Sequence, residues 1–358
     1  MDHALRRKRL VQRLPELGVE GLFISMPPNV RYLTGFTGSN GQVLVTADET
    51  VFFTDGRYQE QARAQVSEVE CVFYLDGFPP AIAVARTRGV GRLGFEAAGV
   101  TYRYWEQLRE RAEGIELAPI GPEVERLRRT KDAEEVVLIG RAQEAADVAF
   151  ERVVLGGGLG EGITEREVAL ELELAMRRAG ADDTGFPAIV AFGDGAAEPH
   201  HRPTDRALAM GDVVKLDFGA LMDGYHSDMT RTVAFGEPPG RLREVHGLVI
   251  SAHRAGVEAV HDGASTREVD LAARRVIEEA GLADAFPHGL GHGVGLEIHE
   301  EPSLRWDRED RLLEGMVVTI EPGVYLPGLG GVRIEDMVEV TAGGGRAIPR
   351  STKELVLL

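Results

Sequence analysis

The sequence contains little cysteine and no long run of apolar residues. Its 358 residues include one cysteine, Cys71, so no disulfide can form within the chain and nothing indicates an oxidising compartment. No stretch of the roughly 18 apolar residues that a membrane helix needs is present. The charged residues 1–10 are not followed by the apolar segment of a secretory signal. We therefore expect a cytoplasmic protein without a membrane span.

Positive charge is also scarce relative to negative charge. The chain has 40 Lys and Arg residues against 58 Asp and Glu residues, a net charge of −18. Binding to a nucleic-acid backbone requires clustered cations, so the composition argues against a nucleic-acid partner. We interpret the short basic run at residues 126–129 as the solvated face of a linker helix. Apolar residues make up 43%, which is typical of a folded globular protein.

The length and the change in pattern along the chain predict two domains, residues 1–125 and 126–358. The first alternates helix and strand signals, contains no catalytic constellation and is predicted to be a small mixed α/β domain, with Cys71 as a small core residue. Its predicted helices are 3–17, 58–66 and 102–112, and its predicted strands are 21–25, 42–46, 51–54, 71–75 and 92–96, the second and third forming a hairpin. A long helix, 131–155, follows.

The second domain contains an internal repeat. Residues 162–170 match residues 263–271, and each copy is predicted to be a helix, with Thr164 or Ser265 as its N-cap. Downstream, residues 211–219 resemble residues 315–323, and a glycine-bearing turn and a second acid follow each copy. The acids placed in this way are Asp217 and Asp228 in the first copy, and Glu321 and Glu335 in the second. Two such halves facing each other would bring four carboxylates to one seam.

An acid on an otherwise apolar strand is unfavourable unless a charged partner is present. Asp217 and Asp228 are eleven positions apart, with Gly224 near the intervening turn, so antiparallel strands could place them across from each other. Taken singly, either acid could instead be a solvated turn residue or the ionic partner of Arg231.

Three histidines, His288, His292 and His299, lie within twelve residues among several glycines. Glycine allows close approach to a ligand, and neutral imidazole is a good ligand for transition metals. Four carboxylates and one imidazole would suit two divalent cations, which generate a nucleophile at neutral pH and stabilise a developing oxyanion.

The order of these acids and histidines, with their flanking residues, resembles the pita-bread metallopeptidases, and most closely the branch of Xaa-Pro dipeptidases (prolidases) and aminopeptidases P. Residues 132–358 carry all of these motifs, while residues 29–36 and 54–58 resemble the creatinase-type N-terminal domain of that branch. The resemblance implies an α/β (α+β) fold in which a smaller N-terminal domain precedes a pita-bread catalytic domain with a pseudo-twofold internal repeat. It also implies a homodimer.

By this resemblance, Asp217 chelates one metal, Asp228 and Glu335 bridge both metals, and His292 and Glu321 complete the second site. Glu321 would also act as general base toward a bridging hydroxide. The donor set suits manganese, with cobalt or zinc as alternatives.

The resemblance also assigns residues to the substrate. His200 matches an upstream substrate histidine, His299 would steady the carbonyl oxygen or the tetrahedral intermediate, and His288 would line the proline pocket. Arg333 would orient the bridging carboxylates. Two further histidines near the site in sequence have open roles, His201 and His226.

The function implied is an Xaa-Pro dipeptidase acting on proline-containing dipeptides or short peptides. An aminopeptidase P, which releases the first residue of longer Xaa-Pro peptides, shares the whole site. A dipeptidase must recognise the free carboxylate of proline, for which Arg305 or Arg308 is available, although either could be a surface residue. A non-catalytic peptide-binding protein of this fold typically loses metal ligands, and none is missing here.

Overall fold

The computed structural model describes residues 1–75 and 77–358, which divide into two compact units, Met1–Arg128 and Arg129–Leu358. Among the helices of these residues, none combines the length and the apolar character needed to cross a membrane.

The first unit is built on a six-stranded mixed sheet with the strand order β4-β3-β2-β1-β5-β6. The strands are β1 (Gly21–Ile24), β2 (Gly41–Thr46), β3 (Thr50–Asp55), β4 (Glu70–Tyr74), β5 (Arg92–Glu96) and β6 (Glu116–Ile120). The helices are α1 (His3–Val11), α2 (Leu14–Leu17), α3 (Pro27–Thr34), α4 (Gln59–Gln65), α5 (Ala81–Thr87), α6 (Tyr102–Arg111) and α7 (Glu123–Arg128), with a 3-10 turn at Gly56–Tyr58.

The predicted strands and hairpin of this unit are present, and three expectations need correction. The helix predicted over residues 3–17 is interrupted after Val11, and Pro15 lies in the first turn of α2, where its missing N–H is tolerated. Cys71 is only half-buried, because β4 is an edge strand with one neighbour. Arg128 is buried rather than solvated, and its guanidinium donates to Asn29 Oδ1 at 2.7 Å.

The second unit contains the predicted long helix, which begins two residues later than expected. Asp132 caps the helix α8 (Ala133–Phe150) in a capping box with Glu135, and the chain continues as a π-helical segment, Glu151–Leu155. The other helices are α9 (Glu165–Arg178), α10 (Gly240–Ala259) and α11 (Thr266–Glu279), with 3-10 turns at Gly193–Ala197 and Ala283–Ala285. Thr164 and Ser265 cap α9 and α11, as predicted from the repeat.

Four sheets make up the rest of this unit. Their strand orders are β11-β10-β7, β12-β9-β8, β14-β13-β15-β18-β19 and β16-β17. The strands are β7 (Asp183–Thr184), β8 (Ile189–Phe192), β9 (Val213–Phe218), β10 (Ala220–Met222), β11 (Tyr225–His226), β12 (Met229–Ala234), β13 (Gly291–Gly293), β14 (Glu300–Leu304), β15 (Val317–Ile320), β16 (Gly323–Leu326), β17 (Gly330–Arg333), β18 (Asp336–Thr341) and β19 (Gly344–Ala347). One hydrophobic core joins α8 and α9 to β8, β9 and β12, and a second joins α10 and α11 to β15 and β18.

The two copies of the sequence repeat have the same order of strands and hairpins. In the first copy, Asp217 lies in β9, the hairpin β10–β11 follows, and Asp228 comes directly before β12, which pairs antiparallel with β9. In the second copy, Glu321 follows β15, the hairpin β16–β17 comes next, and Glu335 comes directly before β18, which pairs antiparallel with β15. Each copy therefore places two acids at one end of an antiparallel strand pair.

Candidate metal centre

The alternation of side chains along β9 explains how a buried strand can carry an acid. Leu216 and Phe218 belong to the core packed against the helices, so Lys215 and Asp217 face the opposite side of the strand. Asp217 lies opposite Thr230 in the register of β9 and β12, and Asp228 precedes Thr230 by two positions. The two acids are therefore diagonal neighbours rather than directly opposed.

Side chains from both copies of the repeat converge on one point. The ligand atoms of Asp228, His292 and Glu335 all lie within 4.8 Å of one another. His292 Nε2 lies 3.6 Å from Asp228 Oδ2 and 3.7 Å from Glu321 Oε1. Asp217 lines the same open cleft, of about 490 Å³, as these four residues. All five side chains expected to hold metal thus share one cleft.

In the metal-free cluster, burial and mutual repulsion disfavour the ionised forms of the carboxyl groups. Burial, together with the charge of Glu335, raises the pKa values of Asp228 and Glu321 well above their ordinary range. Burial and the charge of Asp217 raise the pKa of Glu335 to about 7. A divalent cation would reverse this balance, because it favours the ionised form of each carboxyl.

The histidine of the cluster, His292, is held in its neutral form. His292 Nδ1 donates to the carbonyl of Gly293 at 3.0 Å, which leaves the lone pair of Nε2 directed to the acids. Burial, together with His299, lowers the pKa of His292 to about 4, so the imidazole is neutral near pH 7.

The residues fit a pair of cations. Asp217 Oδ1 is buried and has no hydrogen-bond partner, as expected for an oxygen that would coordinate a metal. The alternative that Arg231 neutralises Asp217 or Asp228 is wrong, because Arg231 donates to Asp336 at 2.8 Å and to the carbonyl oxygen of Glu335 at 2.6 Å. Carboxylate oxygens and one imidazole nitrogen are ligands that manganese, cobalt and zinc accept.

Arg333 is buried beside this cluster and hydrogen-bonds with its residues. Its guanidinium donates to Asp217 Oδ2, to Thr230 Oγ1 at 3.0 Å and to the hydroxyl of Tyr325 at 3.1 Å. Thr230 in turn donates to Glu335 Oε2 at 2.6 Å. Arg333 therefore contacts Asp217 directly and is linked through Thr230 to Glu335, one of the two acids expected to bridge the metals.

The substrate histidines expected from the sequence surround the cluster. His200 and His299 line the cleft beside the acids and also a second cavity, of about 570 Å³, which His288 shares. His288 Nε2 is 2.9 Å from the hydroxyl of Tyr325, and burial, with Arg333, lowers the pKa of His288 to about 3.

The two histidines with open roles have structural partners. His201 Nε2 is 2.9 Å from Glu165, and its Nδ1 is 3.0 Å from Glu198. His226 Nδ1 donates to the carbonyl of Gly295 at 3.1 Å.

Sequence reasoning missed several residues of the site. Thr230 lies two positions after Asp228, so the alternation along β12 could have placed it on the same face. Tyr325 links His288 to Arg333, and no motif indicates it. The missed apolar wall of the cleft consists of Phe186, Ile189 and Ile298.

Comparison with known families agrees with this geometry. The model of metallopeptidase family M24 matches residues 137–342, more than half of the chain. The chain belongs to metallopeptidase family M24. The model of the creatinase/prolidase N-terminal domain matches residues 6–130. The expected architecture, a creatinase-type domain before a pita-bread domain, is confirmed, and the protein is a metal-dependent peptidase.

Relatives of this M24 peptidase carry more specific names. The Xaa-Pro dipeptidase of Pyrococcus furiosus is 37% identical over 352 residues, which cover 98% of this chain and 99% of that protein. A solved Xaa-Pro dipeptidase from Bacillus anthracis is 40% identical, with a TM-score of 0.96 and full coverage of both chains. A solved X-Pro aminopeptidase from Thermotoga maritima is 31% identical, with a TM-score of 0.90, and the match covers 99% of this chain and 100% of that one.

Proposed function

We propose that this M24 peptidase is an Xaa-Pro dipeptidase, which hydrolyses the peptide bond before proline in dipeptides. The observation that carries the proposal is the convergence of the five expected metal ligands on one cleft, in a chain similar over its full length to proteins named Xaa-Pro dipeptidase.

Asp217 would chelate one metal, Asp228 and Glu335 would bridge both, and His292 and Glu321 would complete the second site. The oxygen-rich donor set supports manganese, with cobalt or zinc as alternatives. When bound, the metals supply Lewis-acid polarisation of the substrate carbonyl and a nucleophile from water at neutral pH.

The protein side chains supply proton transfer and orientation. Glu321 borders both cavities and would accept the proton of the attacking water and pass it to the proline nitrogen, which must be protonated to leave. His299 and His200, which line the same cleft, would donate hydrogen bonds to the carbonyl oxygen as negative charge develops on it. Arg333 holds Asp217 in place for this chemistry.

The second cavity suits the proline ring. An Xaa-Pro bond has no N–H, so a peptidase that recognises substrate by backbone pairing would lose a donor there. The cavity is walled by His288, Gly289, Gly291 and Ser303, and we assign the ring to it.

Arg305 is the better candidate of the two arginines for the free carboxylate of proline. It lines the second cavity, whereas Arg308 pairs with Glu301 at 3.4 Å on an exposed face. Arg305 also pairs with Asp307, from Nε and Nη2, so its Nη1 is the nitrogen best placed to bind an anion.

An aminopeptidase P activity is the second candidate, favoured by the similarity to the X-Pro aminopeptidase from Thermotoga maritima. The test is the ratio of kcat/KM for Ala-Pro to kcat/KM for Ala-Pro-Ala, measured with the manganese-loaded protein and repeated after chelation. A ratio well above one supports the dipeptidase. A ratio below one supports the aminopeptidase, and no hydrolysis of either peptide by the metal-loaded protein refutes both.

We also propose a cytoplasmic homodimer whose functional domains are residues 1–125 and 126–358. The resemblance to prolidases supports the dimer, and the single cysteine is compatible with a reducing compartment. Light scattering coupled to size-exclusion chromatography measures the mass directly, and a monomer of 38.9 kDa would refute the dimer.

A further inference from the structure

Lys215 is a fully buried lysine that the proposed chemistry does not use. It lies on β9, on the same strand face as Asp217, and its exposed fraction is 0%. A buried ammonium is costly unless its hydrogen bonds are satisfied. The contacts of Lys215 are therefore informative about its role.

The partners of Lys215 are three backbone carbonyl oxygens of one segment, residues 196–199. Its Nζ donates to the carbonyl oxygen of Ala196 at 3.1 Å and to that of Glu198, and it lies 3.5 Å from that of Pro199. Arg333 donates to the same Pro199 oxygen at 3.1 Å. The residue after Pro199 is His200.

The amino group of Lys215 also lies beside an aromatic ring. Lys215 Nζ lies 5.1 Å from the ring centroid of Tyr325, a cation–π distance. The opposite end of the segment is held separately, since Glu165 accepts from the N–H of Thr204 at 2.8 Å and bonds His201 at 2.9 Å. The segment that carries His200 is thus fixed on both sides.

The internal repeat contains a counterpart of this contact. Aligning residues 211–219 with residues 315–323 places Thr319 at the position of Lys215, two residues before the acid in each copy. Thr319 is fully buried, and its Oγ1 accepts from the N–H of His292 at 3.1 Å. A Cβ at Gly291 would meet the Thr319 carbonyl oxygen at 1.9 Å, so the backbone at Gly291, next to His292, packs directly on β15.

We infer that Lys215 is a positioning residue for His200: its buried amino group anchors the 196–199 segment, as Thr319 anchors His292 in the second copy of the repeat. The inference rests on the proposed function for the role of His200 in binding the substrate carbonyl. Thr319 reaches the neighbouring strand β13, whereas Lys215 reaches the end of the 3-10 turn Gly193–Ala197 and the residues after it. Loss of Lys215 should therefore lower the rate of substrate hydrolysis without loss of metal, whereas loss of Thr319 should weaken metal binding.

The test is a double-mutant cycle with Lys215→Met and His200→Ala in the manganese-loaded full-length protein. We expect Lys215→Met to lower kcat/KM for Ala-Pro roughly 10- to 100-fold, since a misplaced binding group costs up to this factor. In the His200→Ala background, Lys215→Met should lower kcat/KM for Ala-Pro by less than about 2-fold. Metal content, measured by mass spectrometry, should stay at the wild-type level in Lys215→Met and fall in Thr319→Val.

Two comparisons separate anchoring from other roles of a lysine. Lys215→Gln keeps an uncharged N–H donor on a side chain one bond shorter, so it should restore part of the activity that Lys215→Met loses. Hydrogen exchange should accelerate at residues 196–204 in Lys215→Met, while the amides of β18 keep their wild-type rates.

Any of three results would overturn the inference. They are an equal loss of kcat/KM from Lys215→Met in the wild-type and His200→Ala backgrounds, a loss of metal from Lys215→Met, and unchanged hydrogen exchange at residues 196–204. A wild-type protein that cleaves no Xaa-Pro dipeptide would refute the proposed function instead. Faster exchange of the segment in Lys215→Met would then still support the anchor, because exchange does not depend on activity.

Discussion

The stability of the metal-free protein should fall as the pH rises from about 4.5 to about 7, with Glu335 as a main cause. Burial raises the pKa of Glu335 to about 7 in the folded state, against an ordinary value of 4.5 that applies to the unfolded chain. The folded state therefore binds this proton more tightly than the unfolded state does. The resulting stabilisation is complete below about pH 4.5 and is lost between about 4.5 and 7.

The magnitude follows from the two pKa values. At about 1.4 kcal/mol for each pKa unit, the difference between 4.5 and about 7 corresponds to roughly 3 kcal/mol of unfolding free energy. Asp228 and Glu321 add to the loss, because their pKa values are raised as well. For a domain of 150–250 residues, roughly 3 kcal/mol corresponds to a change in Tm of about 6–12 °C.

The assay is thermal unfolding of chelator-treated protein at pH 5 and pH 8, with Glu335→Gln as the matched variant. Gln cannot ionise, so the difference in Tm between the two pH values should shrink by about 6–12 °C. Saturating manganese should stabilise the wild type at pH 8, because the metal binds only the folded, ionised site. Equal pH dependence in the chelator-treated wild type and the variant would refute the reasoning.

Three further substitutions separate the proposed roles. Asp228→Ala should lower kcat at least 1000-fold together with metal content, because a bridging carboxylate serves both ions; near-normal turnover would contradict bridging. His299→Ala should lower kcat roughly 100-fold at unchanged metal content, because the lost group stabilises the developing oxyanion; a parallel loss of metal, measured by mass spectrometry, would make it a ligand instead. Arg305→Ala should raise KM for Ala-Pro roughly 10-fold but leave KM for the neutral Ala-Pro-amide unchanged, with Arg308→Ala as the control; equal effects on both substrates would exclude carboxylate recognition.

Features with strong local signals were predictable from the sequence. The hairpin of β2 and β3 follows from its apolar strands and short connection, and the helix caps at Thr164 and Ser265 follow from the repeated motif. Boundaries were less predictable, as the break between α1 and α2 shows. The division of the chain at residue 125 and the individual roles of the site residues stay predictions.

Local sequence patterns misjudged the burial of one arginine and the ionic partner of another. Arg128 belongs to a basic run that looks solvated, yet its guanidinium is enclosed and bonded to Asn29, 99 residues earlier. Arg231 was a plausible partner of Asp228 by proximity in sequence but pairs with Asp336, 105 residues later. Such pairings depend on which distant segments meet, and periodicity carries no information about that.

The sequence by itself determined the types of the candidate ligands, their order and the duplication that places an acid pair in each half, because these are properties of composition and spacing. Only the tertiary structure decided that Arg333 contacts Asp217, that Tyr325 links Arg333 to His288, and that Lys215 holds the segment before His200. These contacts join residues from separate strands and loops. Their geometry is fixed by the packing of the two repeat copies, in which most buried polar groups find a hydrogen-bond partner.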